Sequence, residues 1–181
     1  MKLDVPYRSQ VNGYMCGPAT LQMVLAFFGE IASQRKLRKL MQASPAELKS
    51  RGTANHKMVK AMQRAGFYVY VNEDSTIDEL KYFLSLKYPV IVNFIEPSEE
   101  EGHFAVVTGY SLLLKQVVMN DPWNGRDFKI SESQFKRRWR SRYDGHHSWL
   151  MVADKKPFPI GRQFYPQASK RSRTSSNDQR A

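Results

Sequence analysis

The 181 residues contain a single cysteine. One cysteine excludes an internal disulfide framework and fits a reducing compartment. No apolar run reaches the roughly 18 residues of a membrane-spanning helix. The opening stretch, Met1–Lys2–Leu3–Asp4–Val5–Pro6, has no apolar run of the signal-peptide kind. These absences set the expectation of a cytoplasmic protein without a membrane span. Internal repeats are missing too. Acidic residues are in deficit, 17 Asp and Glu against 28 Lys and Arg, for a net charge of +11. Nearly half of that excess lies in residues 154–181. A basic surplus attracts nucleic acid, anionic lipid or acidic protein. It is more commonly a solvated surface, and no nucleic-acid partner is expected.

What is present reads as globular. Hydrophobic residues make up 41% and aromatics 12%, and the length suits one domain. The stretch that organises the rest holds the cysteine: Gln10–Val11–Asn12–Gly13–Tyr14–Met15–Cys16–Gly17–Pro18. Pro18 suits the first turn of a helix. Leu21, Val24, Leu25 and Phe28 then recur with helical spacing, and Met23, Ala26 and Phe27 fill the other side, so this helix is buried. Gly29 ends it. Cys16 thus sits at a helix N-terminus, where free N–H groups favour thiolate. A lone cysteine is equally compatible with a small buried hydrophobe.

Further helices are expected over Gln34–Met41 behind Ser33, from Ser44–Pro45 to Leu48, over Thr53–Ala65, from Ile77 behind Ser75 or Thr76, and from the Ser131–Gln134 capping box to Trp139. Strands are expected at 67–71, 89–94, 103–110, 116–121 and 148–152. Between them lies an acidic loop, residues 96–101. Helices come first and strands after, with short connections. That order implies an α+β fold with helices packed on an antiparallel sheet. The domain is expected to span 1–153, with 154–181 a basic, disordered tail.

A cysteine nucleophile needs a base, and the base an orienting group. Of four histidines, His56 falls on an exposed helix. His146 and His147 lie in a polar stretch with no third ligand spaced nearby, so no metal is expected. His103 opens an apolar strand directly after a glycine. A hairpin centred near Leu112 would set it across from Asp121, within reach of a carboxylate. Asp121 also reads as a turn-initiating residue before proline, and His103 as a hydrogen-bonded structural histidine. Gln10 could donate a side-chain amide to an oxyanion beside the backbone N–H of Cys16.

Together the segments Gln10…Cys16–Gly17–Pro18–Ala19–Thr20, Gly102–His103–Phe104–Ala105–Val106–Val107–Thr108–Gly109–Tyr110 and Asp121–Pro122–Trp123–Asn124–Gly125 resemble the three blocks of the C39-type cysteine peptidases. Val5–Pro6–Tyr7–Arg8–Ser9–Gln10 resembles that family's lead-in. These are papain-like domains known for removing bacteriocin leader peptides after a double glycine. The resemblance covers residues 5–153 and implies a papain-like α+β fold. It implies Cys16 as nucleophile, His103 as base, Asp121 as orienter and Gln10 as oxyanion donor, acting on a peptide or protein substrate without a cofactor. Leader-processing members are usually fused to a membrane transporter. This sequence has neither membrane segment nor ATPase motif, so bacteriocin processing is not implied. A deamidase or acyltransferase would share the acyl-enzyme. A non-catalytic binding module on the same fold is the alternative of another class. No feature sets an oligomeric state.

Overall fold

The structure is a computed structural model that describes residues 2–142, 145–159 and 161–167. Helix α1 (Cys16–Phe27) is buried along most of its length, as its all-round apolar composition requires. Three helices follow: α2 (Gln34–Leu40), α3 (Pro45–Arg51) and α4 (Asn55–Arg64). Ser33 caps α2 by accepting from Lys36 N–H, and Ser44 caps α3 by accepting from Glu47 N–H. Each cap satisfies a donor that a helix start leaves free. After β1 (Tyr68–Asn72), Thr76 rather than Ser75 caps α5 (Ile77–Ser85). Strands β2 (Val90–Ile95), β3 (Gly102–Ser111), β4 (Gln116–Asp121) and β5 (Gly125–Ser131) follow. Then come α6 (Glu132–Arg138), β6 (Leu150–Asp154) and β7 (Gln163–Phe164).

Seven strands form one antiparallel sheet in the order β5-β4-β3-β2-β6-β1-β7. β2 and β6 are buried almost throughout, as strands covered on both faces must be. Helix α1 packs against β3, and α2 packs against both α1 and α4. The α+β architecture expected from the order of elements is therefore the one observed.

Three features differ from the sequence reading. β5 is not among the strands expected from the sequence. Its Arg126, Asp127 and Lys129 give it the polarity of a loop, and it survives because it is an edge strand with one partner. The β3–β4 hairpin turns later than Leu112. Below a register shift near Thr108, Gly109 pairs with Val118 and Ser111 with Gln116. The chain also packs beyond residue 153. Phe158 is buried, and β7 pairs with β1. Gln63 then accepts from Gln167 N–H and donates to the Tyr165 carbonyl. The Phe158 ring packs against Tyr70 and Tyr88, which seats the segment on the fold. Residues 168–181 of the expected tail lie outside the described residues.

Candidate active site

Cys16 is the first residue of α1, and His103 is the second of β3. The two elements are tied next to the site, where Thr20 Oγ1 donates to the Phe104 carbonyl at 3.0 Å. Gly17 permits a close approach. A Cβ there would lie 2.7 Å from Thr53 Oγ1, in the loop between α3 and α4. Any side chain at 17 would push that loop off the helix start.

His103 Nε2 is 2.7 Å from Asp121 Oδ1, and both residues are buried. The pair is not directly cross-strand, as a turn at Leu112 would have made it. Val106 pairs with Asn120, so the same register continued sets Asp121 opposite Ala105. His103, two residues further along the same face, meets the carboxylate diagonally. Diagonal neighbours are about 7–8 Å apart at the backbone, within reach of an imidazole and a carboxylate. With Nε2 committed to Asp121, the other ring nitrogen is left for the thiol. Cys16 lies close enough to the ring that their mutual interaction lowers the pKa of the thiol and raises that of the imidazole.

The electrostatics follow from these contacts. Burial alone pushes the Cys16 thiol up. The hydrogen bond and charge of His103, with backbone N–H groups of Phe104 and Gly17, outweigh it and hold the thiol below its ordinary value. Burial likewise opposes charge on His103, but hydrogen bonds to Asp121 and to Cys16 carry it well above an ordinary histidine. Burial raises Asp121, and its bonds to His103, Asn124 and Trp123 bring it below the usual carboxylate range. All three shifts favour the charged forms: thiolate, imidazolium and carboxylate.

Asp121 is also held from behind. Its Oδ1 accepts from the N–H groups of Trp123 (2.8 Å) and Asn124 (3.0 Å). The Asn124 side chain donates to Asp121 Oδ2 and to Glu96 Oε2, both at 3.2 Å. Glu96 is 2% exposed. Its carboxylate further accepts from Ser98 N–H (2.8 Å), Ser98 Oγ (2.6 Å) and Glu99 N–H. The acidic loop is thus built into the site's support, and its outer carboxylates are fixed by Arg138 to Glu100 and Arg142 to Glu101. Asn124 and Glu96 were missed as site residues. Asn124 reads in sequence as a turn former and Glu96 as one acid among several.

Asn124→Ala is expected to strand Asp121 Oδ2, while Glu96 Oε2 keeps its two Ser98 donors. That costs about 1–3 kcal/mol of stability, read as a lower urea midpoint. Activity is expected to fall about tenfold through kcat with KM unchanged, because Asp121 keeps its main-chain donors.

Gln10, the expected oxyanion donor, lies in the loop that leads into α1. Its Nε2 donates to the Asn12 carbonyl at 2.8 Å, leaving one N–H uncommitted, and its Oε1 is buried without a partner. Gln10 N–H donates to the Pro122 carbonyl at 3.1 Å, which ties this loop to the turn after Asp121. His146 pairs with Glu73 at 2.9 Å, and His56 is exposed on α4. Among the described residues no three His, Cys, Asp or Glu side chains gather as a metal site would require.

A cavity of about 130 Å³ opens beside Cys16, walled by Gly52, Thr53, Ala54, Asn93, Gly102 and Phe104. Arg51, Ser141 and Arg142 complete its lining and keep it narrow. Thr53 Oγ1, at its wall, has no hydrogen-bond partner. A larger concavity of about 460 Å³ lies against Met15, Gln34 and Arg38 and includes none of Cys16, His103 or Asp121. The smaller one is the relevant space, because it reaches the sulfur.

A profile of the Peptidase_C39 like family matches residues 2–146. The chain belongs to that family. A curated relative, the lactococcin transport/processing ATP-binding protein LcnC-like of Lactococcus lactis subsp. lactis (strain IL1403), is 31% identical over 134 residues. The match covers 74% of this chain and 17% of that protein, so the chain spans about a sixth of its relative. Two solved structures share the fold. One is the peptidase domain of Streptococcus ComA, described as a bifunctional ABC transporter, with TM-score 0.64, 24% identity and coverage of 83% and 98%. The other is a double glycine motif protease from an AMS/PCAT transporter in complex with its leader peptide, with TM-score 0.64, 24% identity and coverage of 84% and 92%. Fold and family are thus those of papain-like cysteine peptidases. No described helix is long and apolar enough to cross a membrane.

Proposed function

We propose that this C39-like chain cleaves a peptide bond through Cys16, His103 and Asp121. The observation that carries the reading is the buried His103–Asp121 pair at 2.7 Å, set beside a Cys16 thiol whose pKa the imidazole lowers. The Cys16 thiolate attacks the substrate carbonyl carbon. The oxyanion accepts from the Cys16 N–H at the start of α1 and from the free N–H of Gln10. The His103 imidazolium gives its proton to the leaving amine, and the C–N bond breaks. Water then enters, His103 takes its proton as the oxygen adds to the acyl carbon, and the C–S bond breaks to give the acid and the Cys16 thiolate beside imidazolium. Asp121 holds the ring in place and stabilises its charge throughout.

The narrow cavity beside the sulfur favours small residues next to the scissile bond. A related fold described as a double glycine motif protease bound to a leader peptide agrees with that preference. Mass spectrometry of a peptide library tests the reading. Two fragments, with small residues enriched beside the cut, are expected. An intact peptide carrying the small mass gain of an amide turned acid would mean deamidation. A library left unchanged by wild-type protein would mean a binding module.

A further inference from the structure

The β3–β4 hairpin ends in a tip that no other part of the described chain covers. Leu112, Leu113 and Leu114 form the turn and are 77%, 92% and 62% exposed. Single exposed apolar residues are ordinary, but three in succession make a patch that marks an interaction site. They do nothing for the hairpin itself. The turn is closed by Leu114 N–H donating to Ser111 Oγ at 3.3 Å and by Lys115 taking a positive φ of 46°. Glycine and asparagine would serve such a turn better.

The charge around the tip is one-sided. Its nearest acidic side chains are already taken. Glu132, whose N–H donates to the Lys115 carbonyl, is paired with Lys136 at 2.7 Å and bonded by the Tyr110 hydroxyl. Asp78 is paired with Lys81, which lies over the Tyr110 ring. Asp127 is paired with Lys2, a residue bridged to Gly109. Lys115 and Lys129 have no ion-pair partner among the described residues. Leucines next to Lys115, with Lys129 exposed on β5 two residues below the rung that closes the hairpin, match an anionic lipid surface.

We propose that this tip docks the protein peripherally on an anionic membrane. The leucines enter the boundary between headgroups and acyl chains, and Lys115 and Lys129 face the lipid charge. A turn splays successive side chains in different directions. A single protein groove does not take all three, whereas a fluid interface accepts each where it points. Leucine is also under-represented among protein–protein anchors, and the tip holds no Trp, Tyr or Arg. The geometry suits a peptidase. His103 is near one end of β3 and the tip lies beyond the other, so eight residues at about 3.3 Å each set the cleft about 26 Å away. Docked this way, the cleft stays in water. The inference does not depend on the peptidase reading.

Co-sedimentation of the full chain with vesicles tests it. Phosphatidylcholine vesicles containing about 30 mol % phosphatidylglycerol are expected to bind wild-type protein, and pure phosphatidylcholine vesicles to bind it more weakly. Combining Leu112→Ser, Leu113→Ser and Leu114→Ser is expected to lower the partition coefficient about tenfold or more. Lys115→Glu with Lys129→Glu is expected to lower it on the anionic vesicles alone. Cys16 alkylation stays unchanged in all of these variants, which shows the fold intact. If the triple variant fails to fold, Leu113→Ser alone is expected to lower partition about threefold. Wild-type protein that stays in solution with both vesicles would overturn the proposal and assign the tip to a protein partner. Binding that survives the serine substitutions would overturn it too, and pass the role to the basic C-terminal residues.

Discussion

His103→Ala is expected to lower peptide turnover by about 10⁴–10⁶-fold, close to the loss from removing the cysteine itself. The reason is shared labour. The same ring keeps the sulfur ionised, protonates the leaving amine and later activates water. Cys16 without it is a buried thiol whose burial disfavours ionisation. The fold is expected to persist. Removing the ring takes one partner from Asp121, a fully buried carboxylate. That carboxylate keeps the N–H groups of Trp123 and Asn124 and the Asn124 amide. The cost is then about 2 kcal/mol rather than the roughly 3–5 of a wholly orphaned buried charge. Circular dichroism and a urea titration check the fold, and a fluorogenic peptide from the library reads the rate. A variant with full activity would remove His103 from the mechanism.

Asp121→Asn is expected to cost about 10²–10⁴ in kcat. Charge is only part of the loss, since the amide also breaks the hydrogen-bond logic behind the ring. Its single oxygen can still accept from His103 and from the main-chain N–H groups of Trp123 and Asn124. The new NH₂ then faces the Asn124 NH₂, donor against donor. Turning the Asn124 amide over relieves that contact but aims its oxygen at the Glu96 carboxylate, acceptor against acceptor. No arrangement of the two amides satisfies Glu96, Asn124, Asp121 and His103 together. The pH dependence of stability should change as well. Because folded Asp121 titrates below its unfolded value of about 3.9, it contributes stability above that value, lost as pH falls through the folded pKa. That acid-side loss is expected to shrink in Asp121→Asn. Wild-type turnover in this variant would reduce Asp121 to a turn residue.

Legibility in the sequence followed how local each signal was. The start of α1 is written in Gly17–Pro18 and an apolar run, and it put Cys16 where it is found. β3 and β4 are short apolar runs, and His103 and Asp121 terminate them visibly. Their meeting was readable, but its geometry was not. The register shift near Thr108 and a turn without Gly or Asn turn a direct pair into a diagonal one. β5 was hidden because an edge strand tolerates charge. Phe158 was hidden because one buried ring in a Pro- and Lys-rich segment has no period. The support behind Asp121 was the least legible part. Glu96 and Asn124 are 28 residues apart, and nothing local distinguishes a carboxylate that turns inward from its exposed neighbours.

The account stands most directly on the charge state of Cys16, and one measurement reads it without any substrate. Cys16 is the only thiol, so alkylation by neutral iodoacetamide has a single source. An ordinary thiol, with a pKa of about 8.5, is only a few per cent ionised at pH 7. Here the pKa of Cys16 is lowered and that of His103 is raised. The ion pair therefore exists between those two values and is lost as pH falls through the lower one. The account predicts rapid alkylation that persists well below pH 7, with a midpoint that moves up toward the ordinary thiol value in His103→Ala. A native thiol that is slow at every pH and reacts only after unfolding would contradict it. So would a midpoint near 8.5 that His103→Ala leaves unmoved.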